Sequence, residues 1–100
     1  LHTYQLSKLA RIDLIEIADY TLEMWGELQA LRYLDDLDDC FKRLAHAPQI
    51  GRPCDGIRKG YRRLEHARHV IFYRVDLDGI IIGRILHQSM LPGVHEIGDE

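Results

Sequence analysis

The sequence predicts an α+β domain in the order β-α-α-β-β-β, with a helical hairpin packed on one face of a mainly antiparallel four-stranded sheet. Three observations predict it. Apolar side chains recur at steps of three and four from residue 8 to residue 47, with a single break at Gly26. From residue 61 to residue 87 the pattern changes to strand-like runs parted by short turns. Neither half can bury its apolar side alone, so hairpin and sheet have to cover each other.

Each element has its own local reason. "HTYQLS" alternates Tyr4 and Leu6 against Thr3 and Gln5, a short strand. Ser7 suits a helix N-cap, because its hydroxyl can accept from the free amides of the first turn. The first helix is predicted over 8–25, with Ile12, Ile15, Ala18, Leu22 and Trp25 as its stripe and Leu14, Ile17 and Met24 widening it. Asp13, Glu16, Asp19 and Glu23 fall mostly outside that stripe. Gly26 ends the helix, and the connection is short enough to force an antiparallel neighbour.

The second helix is predicted over 27–47, with Ala30, Leu34, Leu37, Phe41 and Leu44 inward and Asp35, Asp36, Asp38 and Asp39 outward. Trp25 and Phe41 are both expected in the interhelical core. Pro48 stops the helix, and residues 48–60 read as one loop. Strands are predicted over 61–66, 68–76 and 79–87, with "DLDG" as the turn between the last two. Residues 88–100, with Pro92, Gly93 and Gly98, are expected to fray, and 1–100 is read as a single domain.

Composition narrows the class. With 46% hydrophobic and 29% charged residues the chain reads as a soluble globular domain. No apolar run approaches the roughly 20 residues of a membrane span. "LHTYQLSKLARID" lacks the pattern of a secretory signal. Cys40 falls on the apolar face of the second helix and Cys54 in the loop, which suggests no disulfide scaffold and fits a reducing cytoplasm. The net charge of −3 is unevenly spread: residues 1–50 hold 5 Lys/Arg and 9 Asp/Glu, whereas 51–87 hold 8 and 4. That split predicts one basic face for an acidic partner or nucleic acid.

These residues bear on four chemistries. A metal could use His66, His69, His87, His95 or Cys54, but "HARH" read as one extended stretch points its histidines to opposite faces, and no metal is expected. "DDLDD" reads as a solvated helix face rather than an acid–base pair. A metal-independent ribonuclease could draw on Arg63, Arg68, Arg74, Arg84, His69 and His87. Strand alternation puts Arg74 opposite His69, and Arg84 opposite His87, so these groups do not converge, and no catalytic residue is expected. A groove for a partner's amphipathic helix or extended strand fits the broad apolar stripe.

Three segments in this order, "DLIEIADYTLEMWG", "ALRYLDDLDDCFKRLAHAPQIGRPCDGIRKGYRRLEHARHVIFYRV" and "GIIIGRILHQSM", resemble the ParE family of toxins from type II toxin–antitoxin modules, over about residues 4–90. The resemblance implies the same β-α-α-β-β-β layout, no cofactor, and inhibition of DNA gyrase by holding its cleaved-DNA complex. It also implies a ParD-like antitoxin in a hetero-oligomer such as two toxins with two antitoxins. The antitoxin would bury apolar residues along the hairpin, at Leu22 and Trp25, and set acids near Arg58, Arg63 and Arg68. Toxins of the RelE type share this fold and cut messenger RNA on the ribosome; under that alternative Arg84, His87 and His95 would be the nuclease residues. Such enzymes commonly carry a late Tyr or His, and here "QSMLPGVHEIGDE" has no Tyr, Lys or Arg and only His95. A non-toxic member that only binds antitoxin is the second alternative.

Overall fold

The computed structural model describes residues 2–90. Strand β1 (Thr3–Leu6) leads into helix α1 (Lys8–Trp25), Gly26 and helix α2 (Glu27–His46). A 3-10 turn at Pro48–Ile50 and the two-residue strand β2 (Arg52–Pro53) follow. Strands β3 (Tyr61–His66), β4 (His69–Asp76) and β5 (Gly79–His87) then form a meander that ends in a 3-10 turn at Gln88–Met90. The α+β class and element order are as predicted. The sheet has five strands instead of four, in the order β1-β5-β4-β3-β2. The added strand is short because Pro53, with no N–H to give, pairs only at the edge of the sheet. Of the segment expected to fray, residues 91–100 lie outside the described residues.

β1 runs parallel to β5, and every other pair is antiparallel. It covers only Gly79–Ile82 of β5, and helix α1 completes the edge beyond that. The Ser7 amide donates to the Ile82 carbonyl at 2.9 Å and the Ser7 hydroxyl donates to the Gly83 carbonyl at 2.8 Å. That hydroxyl also accepts from the Ala10 amide at 3.0 Å, the predicted N-cap. One turn on, the Asp13 carboxylate accepts from the Ile85 amide at 2.9 Å. The backbone of β5 is therefore satisfied along its open edge without a strand there.

Gly83 forms a bulge. Phe72 pairs with Arg84 and Tyr73 with Ile82, so Gly83 has no partner and the alternation of β5 slips by one. Ile80, Ile82 and Ile85 all join the core under the helices, with Leu37, Phe41, Leu44, Ile71 and Tyr73. On the other side of the sheet Tyr61, Val70, Phe72, Leu86 and Cys54 form a second, smaller apolar cluster. Tyr73 fastens the long loop to the main core: its hydroxyl donates to the Pro48 carbonyl and accepts from the Gly51 amide. A Cβ at Gly51 would lie 2.2 Å from that hydroxyl, so the position admits only glycine without a shift.

The predicted stripe of α1 is rotated from the observed one. The residues it buries are Ala10, Asp13, Ile17 and Thr21. Trp25, expected in the interhelical core, is 67% exposed, whereas Phe41 is 1% exposed as expected. The reason is geometric: the apolar arc of α1 is wider than the sheet can cover, and at the hairpin tip Ala30 is the one buried residue between Leu22 and Leu31.

Candidate functional site

Three surfaces combine unusual chemistry with accessibility. The first is the outer side of the hairpin. Ile15, Leu14 and Ala18 of α1, Leu34 and Phe41 of α2, and Tyr4 and Leu6 of β1 line an apolar groove of about 400 Å³. Asp38 stands at this groove and accepts from the Tyr4 hydroxyl while pairing with Lys42 at 2.9 Å. Burial and that carboxylate push the Tyr4 phenol up to about 12, so it stays a donor. Ile15 and Ala18 are followed at helical steps by Leu22 and Trp25, both at least half exposed. Met24, Leu28 and Leu31 extend the exposed apolar surface over the tip. A contiguous patch of this kind marks an interaction site more often than plain surface.

The second surface is the sheet face away from the helices, where arginines lie over aromatic rings. Arg58 sits 5.6 Å above the Tyr61 ring and Arg63 5.5 Å above the Phe72 ring. Glu65 pairs with Arg63 at 3.0 Å and with Arg52 at 2.9 Å. Arg68 occupies the exposed β3–β4 turn. The five predicted partner-binding residues thus fall on two sides of the molecule: Leu22 and Trp25 on the hairpin, Arg58 and Arg63 behind the sheet, and Arg68 at its end. A partner touching all five has to wrap around the domain.

The third surface is the end of the sheet on its helical side. His66 pairs directly with His69, and His69 directly with His87. Directly paired residues share a face, so the three imidazoles stand in one row. The expectation that "HARH" splits its histidines between faces is corrected here, since a two-residue turn, not one extended strand, separates them. Tyr33 of α2 caps the row, with its hydroxyl 2.6 Å from His69 Nδ1. Nothing in the sequence reading singled out Tyr33, although its position four residues before Leu37 placed it on the sheet-facing side of α2. Among the described residues no cluster of three His, Cys, Asp or Glu has metal-holding geometry.

Of the nuclease candidates, Arg84 and His87 stand on opposite faces of β5. Arg84 is bound by Asp13, which takes its Nε at 2.7 Å and Nη2 at 2.9 Å. His87 belongs to the histidine row, and its Nδ1 lies 2.7 Å from the Ser89 hydroxyl. His95 lies outside the described residues. The sequence places Asp13 mostly outside the apolar stripe of α1; its position nearly two turns after the N-cap, beside an unpaired strand edge, is visible only with the topology.

Comparisons with known proteins agree with this architecture. A family described as ParE toxin of type II toxin-antitoxin system, parDE, matches residues 4–92. Toxin ParE1 of Mycobacterium tuberculosis is 48% identical over 88 residues, covering 87% of this chain and 90% of that one. Toxin ParE1 of Caulobacter vibrioides is 41% identical over 92 residues, covering 92% and 95%. A solved structure of the chromosomal ParDE TA system from P. aeruginosa superposes with a TM-score of 0.72 at 27% identity, covering 85% of this chain and 94% of that one. Fold and matches together define a toxin of the type II toxin–antitoxin class. Within that class the chain belongs to the ParE family.

Proposed function

We propose that this chain inhibits DNA gyrase in the cytoplasm by binding and stabilising its cleaved-DNA complex, and that a ParD-like antitoxin neutralises it. The observation that carries the reading is the apolar surface running from the hairpin groove to Leu22 and Trp25, in a chain whose Arg84 is paired with Asp13 and stands on the opposite face of β5 from the neighbouring His69 and His87. Binding chemistry needs such a surface. Transesterification of RNA needs a base, an acid and a cation within reach of one phosphate. Arg84, locked to Asp13, and His87, on the helical side, do not supply that set.

The antitoxin reading follows from the two-sided placement of the candidate residues. A segment disordered alone and ordered on the toxin can follow the hairpin groove and then round the sheet to its arginines. A dimeric antitoxin would give an assembly of two toxins and two antitoxins. Arg63→Glu with Arg68→Glu is expected to weaken antitoxin binding by roughly tenfold, about 1.4 kcal/mol. The wild-type complex should also weaken more steeply with added salt than the variant complex does. Equal affinities at every salt concentration would remove the basic side from the interface.

Two parallel reactions with purified toxin test the function. Gyrase with supercoiled plasmid is scored for linear, cleaved-complex DNA, and translating ribosomes are scored for cut messenger. Gyrase-dependent cleavage with intact messenger is the expected result. Cut messenger with unaffected gyrase would favour the RelE-type alternative, and no change in either would favour a member that only binds antitoxin.

A further inference from the structure

The histidine row has no part in the reading above, yet it ties the second helix to the sheet. His66, His69 and His87 come from three neighbouring strands, and the His69 and His87 rings stand edge to face at 5.4 Å. Tyr33 packs on two of the three, with ring centroids 5.6 Å from His69 and 6.0 Å from His66. We propose that this row, latched to α2 through Tyr33, is a proton-operated release of the second helix from the end of the sheet.

The chemistry is a matter of who donates. Burial, with Asp36 and Cys40 nearby, pushes the Tyr33 phenol up to about 12, so it keeps its proton and is able to donate to Nδ1 of a neutral His69 whose own proton is on Nε2. Protonating His69 turns Nδ1 into a donor, so the Tyr33 hydroxyl has to turn its own proton away and accept instead, beside a half-buried charge. The new charge also faces the two other imidazoles. From α1 the nearest acid is Asp13, already committed to Arg84 and the Ile85 amide. Burial first, then His87 and His66, lower His69 to about 4.

The sign of the pH effect follows. An unfolded chain binds this proton below about 6.5, whereas the fold resists it until about 4. Stability from the latch is therefore complete above about pH 6.5 and is lost as pH falls toward 4. One extra proton in the open state lowers the closed-to-open ratio by up to about tenfold per pH unit.

The test uses the full chain, free of partners. Histidine ring titrations are followed by NMR, and amide exchange of α2 is compared between pH 7.5 and 5 after correction for intrinsic rates. His69 is expected to titrate well below the ordinary imidazole range, and protection of α2 near Tyr33 to fall with its protonation while central β4 amides keep theirs. His69→Gln should remove most of that pH dependence. Tyr33→Phe, which keeps the ring, should move the His69 titration upward by removing the donor to its neutral form. An α2 whose protection is the same at both pH values, or a His69 titration unmoved in Tyr33→Phe, would overturn the latch.

Discussion

Asp13→Ala is expected to destabilise the domain by about 3–5 kcal/mol, the range for breaking a buried ion pair from one side. In a domain of total stability about 5–15 kcal/mol this is a third or more of the whole. The carboxylate makes three contacts: two to the Arg84 guanidinium and one to the Ile85 amide. Its side chain is 6% exposed and that of Arg84 13%, so water replaces little of what is lost. Removing it takes the Asp13 contacts from the Arg84 guanidinium and the acceptor from the Ile85 N–H. Asp13→Asn can still accept from Ile85 and should cost less. Replacing both members of the pair, Asp13→Leu with Arg84→Met, removes the charges but leaves the amide orphaned, a residual cost of about 1–3 kcal/mol. Urea midpoints of the three variants check the order. A loss below 1 kcal/mol for Asp13→Ala would mean that the pair is solvated and Arg84 is available for other work.

Asp13 also shows where a linear reading runs out. The helix pair, the Ser7 cap, the Gly26 break and the β3–β4–β5 meander follow from periodicity and turn chemistry, all local signals. The parallel pairing of β1 with β5 joins residues more than seventy positions apart, and only that pairing makes an acid on the first turns of α1 the cap of a strand edge. The same is true of the histidines. Counting from His66 to His69 along one strand gives opposite faces; the turn at Ala67 and Arg68 folds the count back and gives one face. Gly83 hides a further slip, since an unpaired residue in β5 shifts the parity of everything after it. The candidate partner-binding residues are chosen by type, apolar at Leu22 and Trp25 and basic at Arg58, Arg63 and Arg68. Their division between two sides of the sheet was not.

Phe41 and Trp25 separate what holds the fold from what the fold presents. Both were placed in the interhelical core by their spacing, and only Phe41 is there. It packs edge-on against the Tyr4 ring at 5.1 Å, among Leu37, Leu44 and the isoleucines of β5. Phe41→Ala should cost about 3–5 kcal/mol, the lost burial plus the cavity left in a core that cannot fully collapse. Trp25→Ala removes a side chain that is 67% exposed and should change stability by no more than about 0.5 kcal/mol. An exposed tryptophan that anchors a partner costs about 2 kcal/mol or more of binding when truncated. The paired measurement is a urea midpoint for each variant and a titration of each folded variant with the ParD-like antitoxin. Unchanged stability with a thirtyfold or greater loss of affinity for Trp25→Ala would place the antitoxin on the hairpin tip. Unchanged stability with unchanged affinity would leave the tip for a second partner, and gyrase would be the first to test.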